Sequence, residues 1–240
     1  MPFTFAHPAA VLWCARWERV GAPLSAFVVG SLSPDFEYFL RLRMLSFYSH
    51  SALGILTFCV PVGIVVYVLY QSVIAPALYR NLPRPIVNRL PEPGQLREKR
   101  VRHMALVPPA LAFGAATHIL WDGFTHGNGP FVLHWPVLET EMLGLPLYKY
   151  LQHGSTLAGF AIMGVWFLLR RPEEYRRVRS TDGGYWPIVT LLFLGALVVL
   201  QQVRPGLAPA KLVIQCIVGL FVALLIAGFW FRVKIRIDRN

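Results

Sequence analysis

Charge is scarce in this sequence, and negative charge scarcer still: 15% of the 240 residues are charged, with 12 Asp and Glu against 23 Lys and Arg. A water-facing domain carries about 25% charged residues, so a chain that is 55% hydrophobic, with mean hydropathy +0.51, has more apolar surface than a soluble core of this size needs. Cysteine is almost missing. Cys14, Cys59 and Cys216 lie far apart and form no CxxC pair, which argues against a disulfide framework and a zinc knuckle. A cleavable signal is lacking too, because Met1 to Pro8 has no basic n-region and Arg16, Glu18 and Arg19 interrupt the first apolar stretch. The N-terminus is therefore expected to stay on the mature protein.

Apolar runs take the place of what is missing. Several approach or exceed the roughly 20 residues a helix needs to cross a hydrocarbon core. Spans are expected at Ser51 to Tyr79, Met104 to Phe124, Gly154 to Leu169 (beginning nearer Tyr150 if it is to be long enough), Tyr185 to Val203 and Lys211 to Phe231. Pro61 and Pro76 mark kink points in the first of these. Residues 8 to 32 read as two short apolar helices broken at Trp17 to Pro23, each too short to span. The expectation is an all-α membrane protein with about five transmembrane helices and an N-terminal re-entrant or interfacial helical hairpin. It forms one integral membrane domain over 1–240, made of the hairpin and a Pro-Asp segment (1–49), a site-bearing core (50–169) and two scaffold helices (185–231). The scaffold spans carry no acid or histidine, only glycines and Gln215 as packing features.

The formal charge of +11 does not point to nucleic acid, since the basic residues lie in short segments beside the apolar runs, without aromatic interleaving. They read as topology signals. Arg80, Arg84, Arg89, Arg97, Lys99, Arg100 and Arg102 fill one loop; Arg170, Arg171, Arg176, Arg177 and Arg179 follow the third span; Arg232, Lys234, Arg236 and Arg239 form the tail. The positive-inside rule puts these loops and the C-terminus in the cytoplasm, as expected for a multi-pass protein of a bacterial inner membrane.

With that topology the ionisable residues fall on one side. His50 opens the first span, His118, Asp122 and His126 close the second, and His153 opens the third, all on the extracytoplasmic face. His118, Asp122 and His126 follow an i, i+4, i+8 spacing, which keeps them on one stripe of a helix that continues that far. Imidazole and carboxylate together suit zinc, and also manganese or iron, with Asp35 and His7 completing the set or serving a second metal position. Asp122 within an apolar helix costs roughly 2.5–3.5 kcal/mol on insertion scales unless a metal, an imidazolium or water meets it. Blander accounts stay open at this point. The same residues fit a hydrogen-bonded network gluing helices together, and Ser33-Pro34-Asp35-Phe36 fits an ordinary capping turn as well as a ligand position. Glu139 and Glu141 are weaker candidates for a general base, Trp121 and Trp135 fit an interfacial aromatic belt, and His134 is left open while His103, in the basic loop, is set aside.

Five segments carry a resemblance: Pro2 to Ala10, Gly30 to Tyr38, Ser49-His50-Ser51, Thr117 to His126, and Tyr148 to Thr156. Together they resemble an uncharacterised bacterial membrane-protein family, a domain of unknown function, over nearly the whole chain. More distantly, an early His, a Pro-Asp after a short hairpin, a later His-Ser and a histidine-bearing helix look similar to the inner-membrane metal-dependent hydrolases. That resemblance implies His7, Asp35, His50, His118 and Asp122 as metal ligands, and the HxxxD on a helix is weakly similar to zinc-dependent phospholipase C, a soluble enzyme.

Two functions follow as expectations. One is a divalent-metal-dependent hydrolase acting on lipid or envelope phosphoesters at the outer leaflet, with His50, His118, Asp122, His126 and His153 as ligands and Asp35 as ligand or base. The other is a non-catalytic transporter or assembly factor using the cluster to bind an ion or pack helices. The cytoplasmic halves of the spans are almost free of ionisable residues, so no side-chain relay across the bilayer is evident, while backbone carbonyls in broken helices stay open as a path. That favours the hydrolase. The bilayer itself is the expected partner.

Overall fold

A computed structural model describes residues 3–90, 100–171 and 183–237. Of the basic positions used above, Arg97, Lys99, Arg176, Arg177, Arg179 and Arg239 lie outside these residues. The chain is an all-α membrane protein, as expected from composition. Its one pair of strands among the described residues, Glu141–Met142 against Leu145–Pro146, is a two-residue hairpin.

The chain begins with a 3-10 helix, Thr4–Val20, closed by Gly21 at a φ of 91°. That left-handed conformation suits glycine, which has no Cβ to clash. Pro23 then leads into α1, Leu24–Leu32, so the expected helical hairpin is present and its break falls inside Trp17 to Pro23. A short 3-10 turn, Ser33–Asp35, follows α1.

The next helix, α2, runs Ala52–Asn81 and opens on Ser51, whose Oγ accepts the Gly54 N–H at 2.9 Å. Pro61 and Pro76 leave their mark as wide π turns just before each proline, at Ile55–Cys59 and Tyr70–Ile74. A proline has no N–H and its ring crowds the carbonyl four residues back, and a π turn absorbs both defects without ending the helix. The remaining long helices are α3, Arg100–Thr125, α4, Leu147–Leu169, α5, Tyr185–Val203, and α6, Pro209–Ile237.

Among the described residues, four helical segments are long and apolar enough to cross a membrane: Ala52–Asn81, Met104–Thr125, Tyr185–Val203 and Pro209–Arg232. The expected third span, α4, is the one not included. Lys149, Gln152, His153, Ser155 and Thr156 occupy its first turns, which leaves its apolar run short.

The chain divides into two compact units, and the boundary runs through α2, inside the block 50–169 that the sequence suggested as one core. The first unit comprises Met1–Phe36, Phe47–Ile64 and Lys99–Leu169. Here small residues let backbones approach: a Cβ on Gly30 would stand 2.7 Å from Leu111 Cα, and one on Gly114 would stand 2.6 Å from Ser31 N. Trp13, Trp17, Phe27 and Phe113 form a tilted and edge-to-face cluster, with centroids 5.0–6.0 Å apart, that joins both arms of the hairpin to α3. The second unit comprises Glu37–Ser46, Val65–Glu98 and Arg170–Asn240. Its core joins Ala77, Tyr185, Val189, Ala223, Ala227 and Phe231. Gln215 closes the end of α5, its Nε2 donating to the carbonyls of Leu200 at 3.2 Å and Arg204 at 3.0 Å.

Candidate metal centre

Three separate chain segments deliver polar groups to α3. The close approach at Gly30 and Gly114 brings the Ser31 carbonyl to His118, whose Nδ1 donates to it at 2.7 Å. A 3-10 helix places residues three apart in line, so Thr4 and His7 face the same way. His7 Nδ1 lies 3.2 Å from the Thr4 carbonyl, and Thr4 Oγ1 donates to Asp35 Oδ2 at 2.5 Å. Ser49 Oγ stands 3.0 Å from His50 Nδ1.

A carbonyl oxygen only accepts, so Nδ1 of His7 and of His118 must carry the proton, and in a neutral ring Nε2 presents a lone pair. The Nε2 atoms of His7, His50 and His118 all point at carboxylate oxygens. His7 Nε2 is 3.3 Å from Asp122 Oδ1, and His118 Nε2 is 3.3 Å from Asp122 Oδ2 and 3.6 Å from Asp35 Oδ1. His50 Nε2 is 3.4 Å from Asp35 Oδ1 and 3.8 Å from Asp122 Oδ2. Lone pairs facing anionic oxygens in a buried place repel unless a cation sits among them. His118 Nε2 and Asp35 Oδ1 are buried with no hydrogen-bond partner, a state that costs about 1–3 kcal/mol per group.

Distance separates a proton from a metal as that cation. Charge-assisted N–H···O bonds are about 2.7–2.9 Å long. Two ligand atoms each about 2.1 Å from a tetrahedral ion stand about 3.4 Å apart, which matches the 3.3–3.8 Å spacings here. Two overlapping groups, His7, His118 and Asp122, and Asp35, His50 and His118, have ligand atoms close enough to hold an ion. Their Nδ1 partners are what a metal site needs around it, since a hydrogen bond to the far ring nitrogen fixes tautomer and orientation. Burial lowers the pKa of His7, assisted by neighbouring His118 and opposed by Asp122.

Not every expected ligand joins. His126 lies just past the end of α3, with Nδ1 3.0 Å from the Asp122 carbonyl and 3.6 Å from Asp122 Oδ1, at the rim of the cluster. Burial lowers its pKa as well. His153 does not come to the site. It is exposed on α4, while Gln152 and Gly159 are the buried residues of that helix. Those two are seven residues apart and share a face, and His153 sits about 100° round from it. Asp35 accepts a hydrogen bond from the Thr4 hydroxyl, which ties the Pro-Asp turn to the first helix. Glu139, Glu141 and His134 are exposed, away from the cluster.

The sequence reading passed over Thr4, Ser49 and the Ser31 carbonyl. Ser49 adjoins His50 and was open to suspicion on that ground. The carbonyl has no signature in a sequence at all. Trp121, read as part of an aromatic belt, also sets its ring edge 5.4 Å from His7. The cluster is sealed on one side and open on the other: the side chains of His7, Asp35 and His118 are 0% exposed, whereas His50 is 20% and His126 23% exposed. An incoming molecule meets it from the side of His50 and His126.

A family model described as a domain of unknown function (DUF4184) matches residues 1–229. The chain belongs to that family. The DUF4184 match takes in the hairpin, three of the apolar helices with all but the last three residues of the fourth, and every residue of the cluster. Comparison with curated proteins gives no match, and neither does comparison with solved structures. The chemistry of this DUF4184 chain therefore has to be argued from the cluster itself.

Proposed function

We propose that the protein is a membrane-bound, divalent-metal-dependent hydrolase whose centre faces the extracytoplasmic side of a bacterial inner membrane and acts on lipid or envelope phosphoesters. One observation carries this reading: three imidazole Nε2 atoms and two carboxylates converge at metal-ligand spacing, with hydrogen bonds behind the rings. Nitrogen and oxygen donors in this ratio suit zinc, and also manganese or iron. A bound ion would lower the pKa of water to about 7 and polarise the phosphoryl oxygen. Such an ion would make a water oxygen nucleophilic enough to bond phosphorus as the ester P–O bond breaks, with the proton given up by that water passing to the leaving alkoxide. Asp35, its other oxygen held by the Thr4 hydroxyl, and Asp122, which has more solvent access, would hold the ion together with the imidazoles. The orientation rests on charge. Arg80, Arg84 and Arg89 lie beyond the far end of α2 from His50, and positive loops favour the cytoplasm.

The test is elemental analysis of detergent-purified protein, wild type against His118→Ala and Asp122→Ala, followed by hydrolysis of a bis-aryl phosphodiester with and without chelator. Near-stoichiometric metal lost in both variants, with chelator-sensitive turnover, is the expected result. Wild type that stays metal-free after reconstitution would leave a polar network between helices as the better account, and metal without turnover would leave an ion-binding protein.

A further inference from the structure

One ion leaves a feature of the cluster unexplained. The rings of His7 and His118 are stacked, with centroids 3.7 Å apart and planes 15° from parallel. An imidazole nitrogen offers its lone pair in the plane of its ring, so two rings in this relation aim at two separate points. Both rings have Nδ1 committed to a carbonyl, of Thr4 and of Ser31, which leaves Nε2 as the ligating atom in each. Asp122 spans the same gap, with Oδ1 toward His7 Nε2 and Oδ2 toward His118 Nε2, each at 3.3 Å. Ions of two-metal hydrolytic centres stand about 3.5–4 Å apart, close to the separation of the stacked rings.

We infer that the centre is dinuclear, with the Asp122 carboxylate bridging two divalent ions. This rests on the reading that the cluster binds metal at all. The first position draws on Asp35 Oδ1, His50 Nε2, His118 Nε2 and Asp122 Oδ2. The second draws on His7 Nε2 and Asp122 Oδ1, the oxygen that also faces His126 at 3.6 Å. Four protein ligands against two make the positions unequal: the first binds tightly, and the second exchanges and keeps places open for water or substrate. The open places lie on the His126 side, which is the exposed one. His126 is thus set to touch whatever binds the second ion, which accounts for a histidine that the first position does not use.

Equilibrium dialysis of the detergent-purified full chain against Mn2+, paired with electron paramagnetic resonance of the loaded protein, reads both number and proximity. About two ions per chain, bound in two steps and giving an exchange-coupled spectrum, is expected of the wild type. His7→Ala should fall to about one ion with an isolated-ion spectrum, because only the two-ligand position loses its imidazole. A wild type holding one ion with an isolated-ion spectrum overturns the dinuclear centre while leaving a mononuclear one. A wild type holding none overturns that reading as well. His7→Ala that still holds a coupled pair also overturns the assignment. If that variant does not fold, the wild-type stoichiometry and spectrum decide alone.

Discussion

Among the described residues, the unit built from Met1–Phe36, Phe47–Ile64 and Lys99–Leu169 buries His7, Asp35, His118 and Asp122 together with Thr4, Ser31, Ser49 and Gln152, whereas the other unit buries Glu37 and Gln215. Both use the same means of packing. Gly30 and Gly114 in the first and Gly228 in the second each sit where a Cβ would strike a neighbouring backbone. The difference lies in what the close packing is for. In the second unit it brings Ala223 and Ala227 into a core with Tyr185 and Phe231, and Gln215 serves as a helix cap. In the first it lowers a carbonyl onto His118 and gathers two carboxylates that, without a cation, would repel the lone pairs facing them. Buried ionisable groups at membrane depth are expensive, roughly 2.5–3.5 kcal/mol each on insertion scales. A unit that concentrates them bears that cost, and the matched packing of the other unit shows that close helix packing does not require it.

A pair of overpacked glycines tests this contrast most severely. Gly114→Val should destabilise the protein by about 1–3 kcal/mol and also abolish metal binding, because the added side chain pushes Ser31 and its carbonyl away from α3. Gly228→Val, which meets the Val73 backbone, should cost a similar amount in thermal unfolding yet leave the bound metal unchanged. Loss of metal in both would break the separation of roles. A smaller effect is expected from Thr4→Val, which keeps the shape but removes the hydroxyl that holds Asp35. Metal affinity measured by competition with a chelator should drop about 10–100-fold, with unfolding little changed. Gln215→Leu is its counterpart in the second unit. It removes the amide donor from the Arg204 and Leu200 carbonyls, the latter still accepting the Arg204 N–H at 2.9 Å, for a loss of about 1 kcal/mol in unfolding, and metal content should not move. The smallest effect belongs to His153→Ala, which should alter neither metal content nor stability beyond about 0.5 kcal/mol. A fall in bound metal there would mean that α4 presents a different face from the one described.

Much of the site was readable from spacing because one helix carries two of its five residues. His118 and Asp122 are four residues apart, so any α-helix must place them on one stripe, and the position of His50 just before an apolar run puts it near a helix end. The membrane class followed from composition for a similar reason: apolar runs this long have no other solvent. Less was readable where faces and rotations matter. His153 shares a segment with Gln152, and the contact of Gly159 with Ala6 turns α4 so that Gln152 goes inward. The same helix is the expected span that is not among the four long, apolar helices of the described residues, because its first turns are polar.

Sequence by itself determined the helical class, the apolar segments, the hairpin break within Trp17 to Pro23, the distortions near Pro61 and Pro76, and the kinds of ligand on offer. These depend on local properties: hydropathy summed over a window, the φ that glycine permits, the N–H that proline lacks. Only the tertiary structure decided that Thr4 holds Asp35, that the Ser31 carbonyl sets the tautomer of His118, that His7 stacks on His118, and that His153 stays outside. Each of those depends on segments distant in sequence meeting at about 3 Å, and on how far each helix is rotated when it packs, which its own residues do not specify.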